Sequence, residues 1–111
     1  MIEIIIKQFL DGHLSAPSFL QSPETKPQRY VVFEKTSSSK NNYLPSSTFA
    51  FQSYAGSMYE AAKLNEEVKE VVEDLIALNE ISGIRLNSDY NFTDTTTKEY
   101  RYQAVFDINH Y

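Results

Sequence analysis

The stretch Ile84-Arg85-Leu86-Asn87-Ser88-Asp89-Tyr90-Asn91-Phe92, with its continuation Tyr100-Arg101-Tyr102-Gln103-Ala104-Val105-Phe106-Asp107-Ile108, decides the fold. Ile84, Leu86, Ser88, Tyr90 and Phe92 alternate with Arg85, Asn87, Asp89 and Asn91, which is the period of a strand. Tyr100, Tyr102, Ala104, Phe106 and Ile108 fall on one face of the return segment. Arg101, Gln103, Val105, Asp107 and Asn109 fall on the other. Thr93-Asp94-Thr95-Thr96-Thr97 between them has turn chemistry. Two adjacent alternating segments around such a tip predict an antiparallel hairpin.

Working back along the chain, Ser82-Gly83 reads as the turn that enters this hairpin. Before it, residues 57–79 read as a helix. Ser57 and Glu60 have the spacing of a capping box. Met58, Ala61, Ala62, Leu64, Val68, Val71, Val72, Leu75, Ile76 and Leu78 form a broad apolar stripe, with Glu66, Glu67, Lys69, Glu70, Glu73 and Asp74 mostly opposite.

Residues 47–55 predict a strand with Phe49 and Phe51 on one face and Ala50, Gln52 and Tyr54 on the other. Residues 29–36 predict another, whose central apolar run implies cover on both faces. Between these two, Ser37-Ser38-Ser39-Lys40-Asn41-Asn42 is the most polar window and reads as a mobile loop. Residues 17–22 predict a short strand begun by Pro17. Ile2, Ile5, Ile6, Phe9, Leu10 and Leu14 give residues 1–14 the spacing of an amphipathic helix.

The result is one α+β domain over residues 1–111, in the order α-β-β-β-α-β-β. A mostly antiparallel sheet with two helices packed on one face is the expected architecture. The sheet's other face, carrying Tyr54, Arg101, Gln103 and Val105, is expected to be incompletely covered, which suits subunit association.

Composition sets the outer limits. The 111 residues are 41% hydrophobic and include 8 Tyr and 7 Phe, which is the content of a folded chain. There is no Cys, so disulfides, a thiol nucleophile and Cys-based zinc sites are excluded. The net charge of −5 comes without a basic cluster, so specific nucleic-acid binding is not expected. No run reaches the about 18 apolar residues of a membrane span, and the first residues lack the pattern of a signal peptide, so no membrane partner is expected.

Residue types that carry chemistry do not fall into catalytic patterns. His13 and His110 stand at opposite ends, neither at ligand spacing to a carboxylate or a second His. No G-x-S-x-G occurs, and Gly12, Gly56 and Gly83 never cluster as a phosphate cradle. Asp89 to Asp94 lacks the Gly and terminal Glu of a calcium loop, leaving turn chemistry. No catalytic, metal or cofactor residue is assigned. The Tyr-rich hairpin admits two readings, interface contact or cross-strand packing.

The run Arg29–Thr36, the polar loop, the passage of Thr48–Ala55 into Ser57–Val68, and the closing Ser88–Asp94 and Lys98–Ile108 together resemble the small tail-terminator and tail-completion proteins of long-tailed phages and prophages. The resemblance spans nearly the whole chain and rests on element order and residue texture. It implies a non-enzymatic virion protein, present in the host cytoplasm during assembly. It further implies a ring of identical subunits, six in number, capping the tail tube and meeting the head connector. DNA would pass through such a ring without specific binding.

A closed ring needs two different patches per subunit. The expected assembly loops are Ser38, Ser39, Lys40, Asn41, Asn42 and Tyr43, and the tip Thr95, Thr96 and Thr97. The expected interface side chains are Tyr54, Tyr100, Arg101, Tyr102 and Gln103. Two other readings fit the same residues. One is a head-side minor capsid or connector adaptor; the other is a small-ligand-binding module, for which a pocket gathering His110, Asp107 or Tyr side chains would speak.

Overall fold

Ser57 starts the best-defined element. Its side-chain oxygen accepts the backbone N–H of Glu60 at 3.2 Å, the serine half of a capping box, which satisfies one of the otherwise unpaired donors of the helix start. Helix α2, Met58–Glu73, follows, and in this computed structural model residues 1–41 and 44–111 are described. The other elements are α1 (Ile2–His13), β1 (Ser18–Phe19), β2 (Tyr30–Asn41), β3 (Leu44–Ala55), β4 (Ile81–Asn91) and β5 (Tyr100–His110). The order is that expected.

The five strands stand in the order β1-β2-β3-β5-β4. Only β1 and β2 run parallel; every other neighbouring pair is antiparallel. Cross-strand partners share a face. The helix face therefore carries Val31 and Phe33 of β2, Phe49, Phe51 and Ser53 of β3, and Ala104, Phe106 and Ile108 of β5. All eight are fully or almost fully buried. Ile2, Ile6 and Leu10 of α1 join Leu64, Val68, Val71 and Val72 of α2 on this same face, closing one core.

Polar ties fix the helices. Asn65, buried in α2, donates to Asp89 at 2.7 Å, and Lys69 donates to the other oxygen of Asp89 at 2.6 Å. Those two donors hold α2 against β4. The hydrogen bonds that Lys69 donates to Asp89 and Glu66 raise its pKa. At the other end, Ser18 of β1 donates to Asp11 of α1 at 2.7 Å.

Four expectations are corrected. The serine window is not a loop: Ser37, Ser38, Ser39, Lys40 and Asn41 pair with Thr48, Ser47, Ser46, Pro45 and Leu44. A ladder already established by Tyr30–Lys35 carries these weak strand formers with it, and a bulge at Thr36 precedes them. Asn42 and Tyr43, also expected in the loop, lie outside the described residues. Pro45 is tolerated because β5 reaches β3 only as far as Ser46, so Pro45 has a single neighbouring strand.

Second, Ser82 and Gly83 lie within β4. A Cβ on Gly83 would sit 3.1 Å from the Asn109 side-chain nitrogen, so close strand approach explains this glycine better than a turn does. Third, α2 ends at Glu73, and Asp74–Ala77 is a 3-10 turn that buries Leu75 and leaves Ile76 exposed. Fourth, the apolar centre of β2 is covered by the helices on one face only: Val31 and Phe33 are fully buried while Val32 is half-buried.

Candidate functional site

The face turned away from the helices carries Tyr30, Val32 and Glu34 of β2 with Ala50, Gln52 and Tyr54 of β3. Their partners on β5 are Val105, Gln103 and Arg101. The contribution of β4 turns on one irregularity. Leu86 pairs with Phe106, yet Ser88 pairs with Val105, so one extra residue stands at Asn87. That bulge reverses the phase of β4. Ile84 and Leu86 belong to the helix face, but Ser88 and Tyr90 belong to the open face.

A row of rings crosses the open face. Phe19 meets Tyr30 edge to face, with centroids 6.2 Å apart. Tyr30 stacks on Tyr54 at 4.6 Å. The Arg101 guanidinium stands 5.7 Å from the Tyr54 centroid and 4.6 Å from that of Phe92. Phe92 meets Tyr90 edge to face at 5.9 Å. Members of this row come from every strand of the sheet or its immediate continuation. Arginine between two ring faces is held by its charge against the ring quadrupoles.

Hydrogen bonds, together with the Tyr90–Phe92 ring contact, close the row into a circuit. Arg101 donates to the Phe92 carbonyl at 2.7 Å and to the Tyr54 hydroxyl at 3.1 Å. Tyr54 donates to the side-chain amide oxygen of Gln52 at 3.0 Å, and the Gln52 amide nitrogen donates to the Gln103 side-chain oxygen at 2.9 Å. Gln103 donates to the Tyr90 hydroxyl. Six side chains, Arg101, Tyr54, Gln52, Gln103, Tyr90 and Phe92, thus form a loop on the surface. Each polar side chain in the loop has at least one hydrogen-bond partner within the chain, and a connected network of this kind restricts the side chains that form it.

The far end of the same face is lower and polar. Asp107 accepts from Arg85 at 2.9 Å, from Thr48 at 2.8 Å and from Asn87 at 3.2 Å. The Arg85 hydrogen bond, followed by that of Thr48, holds the Asp107 carboxyl below its ordinary pKa against the opposing effect of burial. A hollow of about 430 Å³ lies here, lined by Ser39, Ser46, Thr48, Arg85, Asp107 and Asn109.

The expected interface residues divide between faces. Tyr54, Arg101 and Gln103 are joined in the circuit. Tyr100 and Tyr102 lie on the helix side, opposite Ala55 and Ser53. Tyr102 there lines a hollow with Tyr59, Ala62, Lys63 and Glu66. The tip residues Thr95, Thr96 and Thr97 are exposed, and Asp94 caps them by accepting the N–H groups of Thr96 at 3.0 Å and Thr97 at 3.4 Å. Those backbone bonds lower the Asp94 pKa.

His110 does not meet Asp107. It lies 3.1 Å from the Ser47 hydroxyl, on the opposite face of β5 from Asp107. His13 contacts the Phe9 carbonyl at 2.8 Å and stacks on the Phe9 ring. Among the described residues no group of three His, Asp or Glu side chains is placed to hold a metal ion, and no helix is long and apolar enough to cross a membrane.

Phe19, Tyr30, Gln52 and Phe92 belong to this face without a sequence signal that marks them as contact residues, whereas Tyr90 is one of the hairpin tyrosines for which the sequence offers interface contact as a reading. The alternation of β3 and β5 did mark their own open-face residues. Tyr90 and Phe92 were assigned the wrong neighbours, because nothing in the sequence announces the bulge at Asn87. No protein-family model matches this chain, and no curated protein matches it.

Proposed function

We propose that this chain is a structural subunit that caps the tail tube of a long-tailed phage or prophage and joins it to the head connector as a ring of copies. The observation that carries the reading is the open sheet face. The polar groups at its centre, Arg101, Tyr54, Gln52, Gln103 and Tyr90, are tied to one another by hydrogen bonds. Such a surface suits contact with protein, where aromatic residues and arginine are the enriched contact types.

Two further features support a ring. The described parts of β2 and β3 extend as a paired arm beyond the last β3–β5 partners, Ser46 and Asn109. The arm and the exposed tip Thr95–Thr97 lie away from the open face's centre and offer the second kind of patch that a closed ring requires. The acidic side of α2 carries Glu60, Glu66, Glu67, Glu70, Glu73 and nearby Asp74 against Lys63 and Lys69. Carboxylates of this kind repel phosphates, as a conduit for sliding DNA should.

The test is electron microscopy of particles assembled without this chain. Overlong tails, or completed tails that fail to join heads, support the proposal. Tails of normal length joined to full heads contradict it. Leaking or tailless heads place the subunit on the head side instead.

A further inference from the structure

We infer that the open sheet face of the free protein docks on the same face of a second copy, forming a two-fold sheet-on-sheet dimer. The inference stands apart from the ring reading, because it concerns the isolated chain.

Relief is the first argument. One half of the face is tall, built from Tyr54, Arg101, Gln52, Gln103, Tyr90 and Phe92. The centre of the other half is low: Ala50, Val105 and Ser88 form one row, with Glu34 at its β2 edge, and Thr48 pairs with Asp107 in the next, with Arg85 at its β4 edge. A two-fold axis lying in the interface plane, perpendicular to the strands and between the Ala50–Val105 row and the Gln52–Gln103 row, sets the tall half of each copy over the low half of the other and Asp107 of one copy over Arg101 of the other. Aligned packing of twisted sheets about 10 Å apart accommodates this relief.

Charge is the second. The face carries Glu34 and Asp107 against Arg85 and Arg101, so it is neutral. Arg101 stands alone in the tall half, whereas Glu34, Asp107 and Arg85 leave the low half with one negative charge. The two-fold therefore opposes unlike charges. Docking through the helix layer would instead bring two acidic α2 surfaces together.

Size and satisfaction complete the case. Four strands about 4.8 Å apart and about nine residues at about 3.3 Å each give roughly 500 Å² in flat projection, which side-chain relief brings toward the about 800 Å² per partner of a standard interface. The circuit already pairs the polar ends, so covering it leaves few donors or acceptors stranded. An isologous contact needs just this one self-complementary patch.

Sedimentation equilibrium over a wide concentration range tests the inference, with Val105→Lys as the probe and circular dichroism and thermal melting to confirm folding. Ser88→Lys serves if the first variant does not fold. The expected result is a mass twice 12.8 kDa for the native chain. Either folded variant should raise the dimer dissociation constant by about 100-fold or more, since it buries an uncompensated charge. A native chain that stays monomeric at millimolar concentration overturns the inference. So does a dimer, or a larger assembly, indifferent to both variants. So does a monomer whose tyrosine fluorescence is quenched by a single-stranded oligonucleotide, which would give the face to nucleic acid.

Discussion

Tyr30 stacks on Tyr54 with centroids 4.6 Å apart and planes 3° from parallel. The pair is built by register: β2 and β3 place the two residues directly opposite one another on the open face. Tyr30 is almost wholly buried, although no helix covers it. Burial, and then the neighbouring Tyr54 and Glu99, raise its hydroxyl pKa. Part of the apparent exposure of this sheet is thus already closed by its own aromatic side chains, and the pair should contribute to stability before any partner arrives.

A double-mutant cycle with Tyr30→Leu and Tyr54→Leu, followed by urea denaturation, should give a coupling of about 0.5–1.5 kcal/mol between the rings. Tyr54→Phe keeps the stack but removes the hydroxyl that links Arg101 to Gln52. It should cost about 1 kcal/mol. A coupling of zero would mean that the stack adds nothing beyond burial.

Asp107 makes stability depend on acid. Its folded pKa lies below the unfolded value of about 3.9, so its contribution is fully present above that value and is lost as pH falls through the lower folded pKa. Asp107→Asn should therefore lower stability at pH 7 by about 1 kcal/mol, a figure reduced because Arg85 is largely exposed. The difference from the native chain should shrink as the pH falls below the unfolded value and through the lower folded one. Denaturation midpoints taken across this range check both parts; a gap constant with pH would contradict the assignment.

Lys98 sits at φ 59 in the turn that follows Asp94. A left-handed backbone is unfavourable for a residue with a Cβ by about 1 kcal/mol. Lys98→Gly should relieve that, and after the added freedom of the unfolded chain a net gain of a few tenths to about 1 kcal/mol is expected. Thermal melting provides the check, and a lower melting temperature would show that the lysine side chain itself holds the turn.

Much of the fold was legible because its periodicities are strong. The stripe Leu64-Val68-Val71-Val72 and the cap at Ser57 announced α2, and the strict alternation of Tyr100–Ile108 announced β5 together with both of its faces. Ser37–Asn41 was misread because serine has little strand preference of its own. Its conformation is imposed by β3, a partner that local sequence does not reveal. Ile84–Phe92 was recognised as a strand but its faces were not, since a single extra residue at Asn87 exchanges them.

The candidate surface was legible in part for the same reason. Tyr54, Arg101 and Gln103 follow from alternation alone. Joining them to Gln52, Tyr90 and Phe92 requires the register of three strands, and register is a property of the assembled sheet.

Cryo-electron microscopy of the neck region of the intact virion tests the central claim most directly. The account predicts a closed ring of this chain between the tail tube and the head connector, its contacts made through the open sheet face, the arm or the tip. A neck reconstruction whose density is fully explained by other proteins, with this chain missing from the particle, would contradict it.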